Sequence, residues 1–159
     1  MRPMVRSAYH HDVCEVVPLK MPALNLSKEY PRSPKQQLGG YVHLCRMIDK
    51  ARAKAAGTIG EYIYPCPLDQ ALLEFLGIGG DAFYEAVTTR TDQDILIWVK
   101  EHATVRSPKE IEEWNTTFLC RKPQNEESMR HFLETRNRIA PHRTDVTTWV
   151  DLLDLEEGR

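Results

Sequence analysis

Residues 61–77 read EYIYPCPLDQALLEFLG, and the folding of this stretch decides the class of the whole chain. Pro67 has a fixed φ and no N–H, which suits it to the first position of a helix. Leu68, Leu72, Phe75 and Leu76 then recur at helical intervals, and Gly77 closes the run as a C-terminal glycine. On the other side, residues 58–64 (TIGEYIY) alternate Ile59, Glu61 and Ile63 as an extended segment would. One short strand cannot build a sheet. The stretch therefore predicts helix leading away from a stiff corner, with at most one short extended segment near 58–64.

Working outward, the same punctuation recurs. Ser33-Pro34-Lys35-Gln36 and Ser107-Pro108-Lys109-Glu110 each supply an N-cap serine, a proline at the first helical position and a Gln or Glu at the third. Thr91-Asp92-Gln93-Asp94 is a third start, with acids where the helix dipole favours them. The repeated RSPK is followed by unlike sequences, LGGYVHL and IEEWNTT, so convergent capping accounts for it better than an internal repeat. A long helix is expected over 39–57. Further helical faces are Phe83 and Val87; Ile95, Trp98 and Val99; Ile111, Trp114 and Phe118; Met129, Phe132 and Leu133; and Val146, Trp149, Val150 and Leu153, the last capped by Thr144 or Asp145. The expected fold is all-α: a compact single-domain bundle of six or seven short helices.

Residues 1–24 lack either period and are expected to form a poorly ordered tail or extension, leaving 25–159 as the single helical domain. The 159 residues are 42% hydrophobic and 28% charged, values of an ordinary globular protein. A formal charge of −2 argues against a nucleic-acid or anionic-membrane coat, since those footprints are basic. The longest apolar run, ILIWV at 95–99, is far short of the ~20 residues of a membrane span. Arg6, His10, His11 and Asp12 interrupt any export signal. The four cysteines contain no CxxC pair, so reduced thiols in a cytoplasmic setting are expected.

Chemistry is sought first at Pro65-Cys66-Pro67. A helix starting at Pro67 puts Cys66 at its N-cap, where unpaired amides and the dipole stabilise a thiolate. Asp69 shares the first turn and could orient a partner, although its charge opposes a thiolate. The simpler reading makes Cys66 a small buried hydrophobe in a rigid turn. Tyr62 and Tyr64, on one side of an extended segment, are candidate ligand contacts or a core edge. His43, Arg46, Lys50 and Lys54 make one basic stripe, which is expected to be a solvated face rather than a phosphate site. A metal set of His43, Cys66 and His131 is imaginable but rests on no spacing, so neither metal nor cofactor is expected. Arg143 and Asp145 lie in a cationic loop before an acidic terminal helix. They read as internal ion pairs or, alternatively, as an anion-binding loop.

The segments RSP…LGGY, DKARAK, GEYIYPCPLD, LLEFLGI and TDVTTWVDLLDLEEGR together resemble a small bacterial family, domain of unknown function 5069. The resemblance covers about residues 25–159. It implies that this portion is an independent unit with the first 24 residues outside it, and it implies no catalytic residues. The function expected is a binding module, for a protein partner, a second copy or a small anionic ligand, with neither nucleic acid nor membrane involved. The alternative is a thiol-dependent enzyme or redox-responsive protein built on Cys66 and Asp69.

Overall fold

Gly39 and Gly40 have φ of +58° and +87°, the left-handed pair that a two-residue hairpin turn requires. In the computed structural model, which describes residues 20–159, they join β1 (Gln37–Leu38) to β2 (Tyr41–Val42) as an antiparallel ribbon, with Gln37 opposite Val42 and Leu38 opposite Tyr41. A Cβ at Gly39 would collide with the Leu96 side chain. This ribbon corrects two expectations. The Ser33-Pro34 device opens a tight turn, closed by Gln36 N–H donating to Ser33 C=O at 3.1 Å, and not a helix. The extended pairing lies at 37–42, whereas residues 58–64 form turns.

Among the described residues seven helices follow: α1 (Leu44–Ala55), α2 (Pro67–Leu76), α3 (Gly80–Val87), α4 (Asp92–His102), α5 (Pro108–Leu119), α6 (Glu126–Ile139) and α7 (Trp149–Glu156). The expected mostly helical bundle is the fold observed. Thr91 and Ser107 cap α4 and α5 through 3.2 Å bonds from the Asp94 and Glu110 amides, as their sequences predict. Gly77 ends α2 in the left-handed conformation. Thr148, rather than Thr144 or Asp145, caps α7.

The main apolar core joins α1 to α4. Leu44, Met47 and Ile48 of α1 pack with Leu72 and Leu76 of α2, Phe83 and Val87 of α3, and Ile95 and Val99 of α4. Phe132, Val146, Leu152 and Leu155 form a second cluster between α6 and α7. A third, of Val42, Phe118 and Val150, ties the ribbon to α5 and α7. Each large buried side chain contributes about 1.5–3 kcal/mol of transfer free energy, so these clusters fix the relative positions of α1, α2, α5 and α7. Residues 1–19 of the expected tail lie outside the described residues. Within them, the Met21 amide donates to Thr88 C=O at 2.8 Å and Leu24 C=O accepts from Thr58 Oγ1 at 2.8 Å. No helix among the described residues is long and apolar enough to cross a membrane.

Candidate functional site

The turn after β2 places a histidine where a glycine is expected. His43 has φ +67° and occupies the N-cap of α1 without making a side-chain cap bond. Its amide donates to Pro34 C=O at 2.9 Å, which fixes the ring relative to the ribbon. From this point α1 carries Arg46 and Lys50 at helical spacing along one face. The sequence marks that face as solvated, and here the expectation fails. His43 is 0%, Arg46 2% and Lys50 3% exposed, and only Lys54 reaches the surface. The reason is that α2 and the chain terminus cover the face and bring carboxylates to it.

The covering group from α2 is Asp69, itself fully buried. Pro67 starts α2 and sets Cys66 at its N-cap in an extended conformation, after a cis Tyr64–Pro65 peptide. Three residues on, Asp69 turns its carboxylate back, and Oδ2 accepts the Cys66 N–H at 2.9 Å. The same Oδ2 accepts from Lys50 Nζ at 2.6 Å, and Oδ1 bonds His43 Nε2 at 2.7 Å. Lys50 Nζ also lies 3.1 Å from Cys66 Sγ. One carboxylate therefore holds a histidine, an ammonium group and the amide of the cysteine whose sulfur that ammonium faces.

Burial alone would push the Asp69 carboxyl up. Hydrogen bonds from His43 and Lys50, with the Lys50 charge, overcome this and hold it below its ordinary 3.8. Burial lowers the His43 imidazole below its ordinary 6.5, and the bond to Asp69 opposes this only in part. The ring is thus neutral at pH 7. A carboxylate only accepts, so Nε2 carries the proton. Nδ1 is then a bare lone pair, buried and without a partner.

His43, Lys50 and Cys66, with Asp69 behind them, border a cavity of about 1330 Å³ between the α1–α2 corner and the α5–α7 half. Its opposite wall includes Cys120, Arg121 and Lys122 after α5, His131 of α6, and Trp149 and Leu152 of α7. Arg46 is tied to Glu157, just beyond α7, by two bonds of 2.7 and 2.9 Å, both side chains 3% exposed. Tyr62 borders the cavity with its hydroxyl 3.5 Å from Glu157, and burial followed by the Glu157 charge pushes its phenol up to about 12.

Of the residues singled out from sequence, Cys66, Asp69 and Tyr62 come together here. Tyr64 does not border the cavity. It is buried beside Phe83 and Tyr84, with its hydroxyl donating to Gly80 C=O at 2.8 Å. Arg143 and Asp145 pair with each other at 2.9 and 3.0 Å outside the cavity lining, in the internal ion pair of the simpler reading. His43 and Lys50, which the sequence marks as part of a surface stripe, stand in this cluster, and Glu157, one of the acids of the terminal segment, pairs with Arg46. Their one sequence signal is the i, i+3, i+7 spacing of His43, Arg46 and Lys50 beside an acid three residues after a proline-flanked cysteine. No three His, Cys, Asp or Glu side chains among the described residues are placed to hold a metal ion.

The architecture is a small helical domain with a buried ionic cluster beneath a cavity. The chain belongs to the family whose model carries the description Domain of unknown function (DUF5069), which matches residues 28–159. No curated protein matches it.

Proposed function

We propose that the domain is a thiol-dependent site for covalent chemistry on a small molecule held in the cavity, with Cys66 as nucleophile. The observation that carries this reading is the 3.1 Å approach of Lys50 Nζ to Cys66 Sγ, with Nζ fixed from behind by Asp69 at 2.6 Å. A nucleophile, a charged group that stabilises its anion, and a third group that orients the second are the parts covalent catalysis needs. The N-terminus of the ten-residue α2 adds its dipole to the same sulfur. A reducing, cytoplasmic setting suits the reading, since Cys45, Cys66 and Cys120 are all free thiols.

Cys120 provides an internal control, because it borders the same cavity and is more exposed than Cys66. Iodoacetamide labelling at pH 7, followed peptide by peptide by mass spectrometry, should modify Cys66 about tenfold faster than Cys120 despite its lower exposure. Lys50→Met should remove that advantage. Faster labelling of Cys120, with Cys66 unaffected by Lys50→Met, would defeat the proposal.

A second reading keeps the cavity and omits the chemistry, making the domain a binding module for a small anion with an apolar body. Its support is the pairing of exposed Arg121 and Lys122 with Trp149 and Leu152 on the far wall. Under that reading Cys66→Ser binds the same ligands as the native chain. Under the first, the substitution abolishes turnover.

A further inference from the structure

We infer that His43 is the proton acceptor of this site, and that the chemistry it serves is acyl transfer to water through a thioester on Cys66. The inference rests on the thiol reading above and goes beyond it in naming the reaction class and a second reacting residue.

Four features of His43 point the same way. Its backbone lies at φ +67°, a region that non-glycine residues seldom occupy and that occurs with raised frequency at functional sites. It sits at an N-cap but makes no side-chain cap bond, so helix capping does not explain the residue. Its Nε2–H is committed to Asp69 Oδ1 at 2.7 Å, which fixes the tautomer and leaves the lone pair on Nδ1. That Nδ1 has no partner. Among the described residues, the other buried side-chain polar atoms without partners are Arg106 Nε and Asp154 Oδ1, and neither residue borders the cavity. His43 does. A buried base with its proton locked on the far nitrogen by a carboxylate has the arrangement that general-base catalysis uses.

The charged groups facing His43 are Asp69 from α2 and Arg46 and Lys50 from α1, while α5 contributes only the uncharged Phe118 ring, 5.0 Å between centroids. The two cations work with burial to keep the ring neutral, the form in which it can take a proton.

The reaction balances over two steps. The Cys66 sulfur, as thiolate, attacks the carbonyl carbon of an ester. The C–O bond breaks, and the leaving oxygen takes a proton from Lys50 Nζ, leaving a thioester. Water then attacks that carbonyl while its proton passes to His43 Nδ1. The C–S bond breaks, the thiolate returns, and the carboxylic acid product gives its proton back to Lys50. His43 releases its proton to solvent. The net change is ester plus water to carboxylate, alcohol and one proton.

The test uses the full chain and p-nitrophenyl butyrate, whose short apolar acyl group suits a wall containing Leu68 and Leu152. Nitrophenolate release reports acylation, and intact-protein mass reports the adduct on Cys66. His43→Gln keeps a side-chain N–H for Asp69 and replaces the basic nitrogen with an amide oxygen that takes no proton near neutral pH. It should acylate near the native rate and then clear the adduct more slowly by about a hundredfold or more, the usual worth of a general base. His43→Asn, which tolerates positive φ, serves if the glutamine variant does not fold. With the native chain alone, the clearance rate should rise with pH to a plateau whose midpoint lies below 6.5, the direction set by burial of the ring. Clearance as fast in the variants as in the native chain, or a rise proportional to hydroxide without a plateau, overturns the inference and leaves the thiol reading standing. The absence of any adduct on Cys66 overturns both.

Discussion

Replacing Asp69 with asparagine changes one atom in the most constrained part of the molecule. Asp69 accepts three bonds, from His43 Nε2 at 2.7 Å, Lys50 Nζ at 2.6 Å and Cys66 N–H at 2.9 Å. An amide cannot serve all three, because its NH2 must face donors on one side or the other. Lys50, 3% exposed, loses its carboxylate partner. Removing one partner of a buried pair costs about 3–5 kcal/mol. Proton linkage has the same sign, since a carboxyl held below its unfolded 3.8 adds stability at neutral pH. At roughly 2–4 °C per kcal/mol for a chain of this size, Asp69→Asn should lower Tm by about 6–20 °C.

Urea unfolding at pH 7, followed by tryptophan fluorescence, gives the free energy directly. Removing the stranded cation as well, in Lys50→Met/Asp69→Asn, should leave the double variant more stable than the sum of the single losses by about 1–3 kcal/mol. The pH dependence has a fixed sign. Asp69 binds its proton more tightly in the unfolded chain, so its contribution is complete above about pH 5 and is lost as pH falls through and below 3.8. The asparagine variant lacks that loss. A cost below about 1 kcal/mol for Asp69→Asn, or strictly additive single variants, would refute the claim that Asp69 holds the cluster together.

Arg46→Met takes two of the bonds that hold Glu157 and leaves Arg159 as its remaining cation, so it should cost about 1–3 kcal/mol in the same urea assay. Ser107→Ala removes the α5 cap bond from the Glu110 amide and should cost about 1 kcal/mol, with alkylation of Cys66 unchanged. His43 adds an acid sensitivity of its own. The unfolded chain protonates it near 6.5 and the folded chain does so only at lower pH, so stability should fall by up to about 1.4 kcal/mol per unit as pH drops below 6.5. Calorimetric Tm values between pH 7 and 5 should show this decline in the native chain and a shallower one in His43→Gln.

The parts of this structure legible in sequence are those where cause and effect lie within a few residues. The sequence Cys66-Pro67-Leu68-Asp69 contains its own helix start, and the returning bond from Asp69 to the Cys66 amide follows from that spacing. Ser107-Pro108-Lys109-Glu110 behaves likewise. The same letters at 33–35 do not start a helix, because Gly39 and Gly40 four and five residues later take left-handed values and turn the chain back on itself. The burial of the basic stripe is hidden from the sequence for a different reason. Periodicity shows that His43, Arg46 and Lys50 share a face, while their polarity places that face in water. Only the fold brings Asp69 to Lys50 from 19 positions away and Glu157 to Arg46 from 111 away. Charged residues are rarely buried without partners, and single-sequence reading cannot see partners so far along the chain.

Two buried ion clusters on one helix face invite the question of why one is assigned chemistry and the other structure. Arg46 and Glu157 satisfy each other with two bonds, and Arg159 adds a third contact at 3.0 Å to Glu157 while holding Pro31 C=O at 2.8 Å. That cluster has no strained backbone and latches the terminus to the start of the domain, which is sufficient reason for its existence. The Asp69 cluster fastens only neighbours that the apolar core of α1 and α2 already holds together. It also carries a left-handed histidine and an unpartnered Nδ1. Those two features cost roughly 2–6 kcal/mol between them, a large share of the 5–15 kcal/mol by which a domain is stable. Apolar residues of similar volume would serve the fold as well or better. Such an expense, concentrated at one edge of a cavity and beside a thiol, supports the chemistry proposed for these groups over a purely structural role.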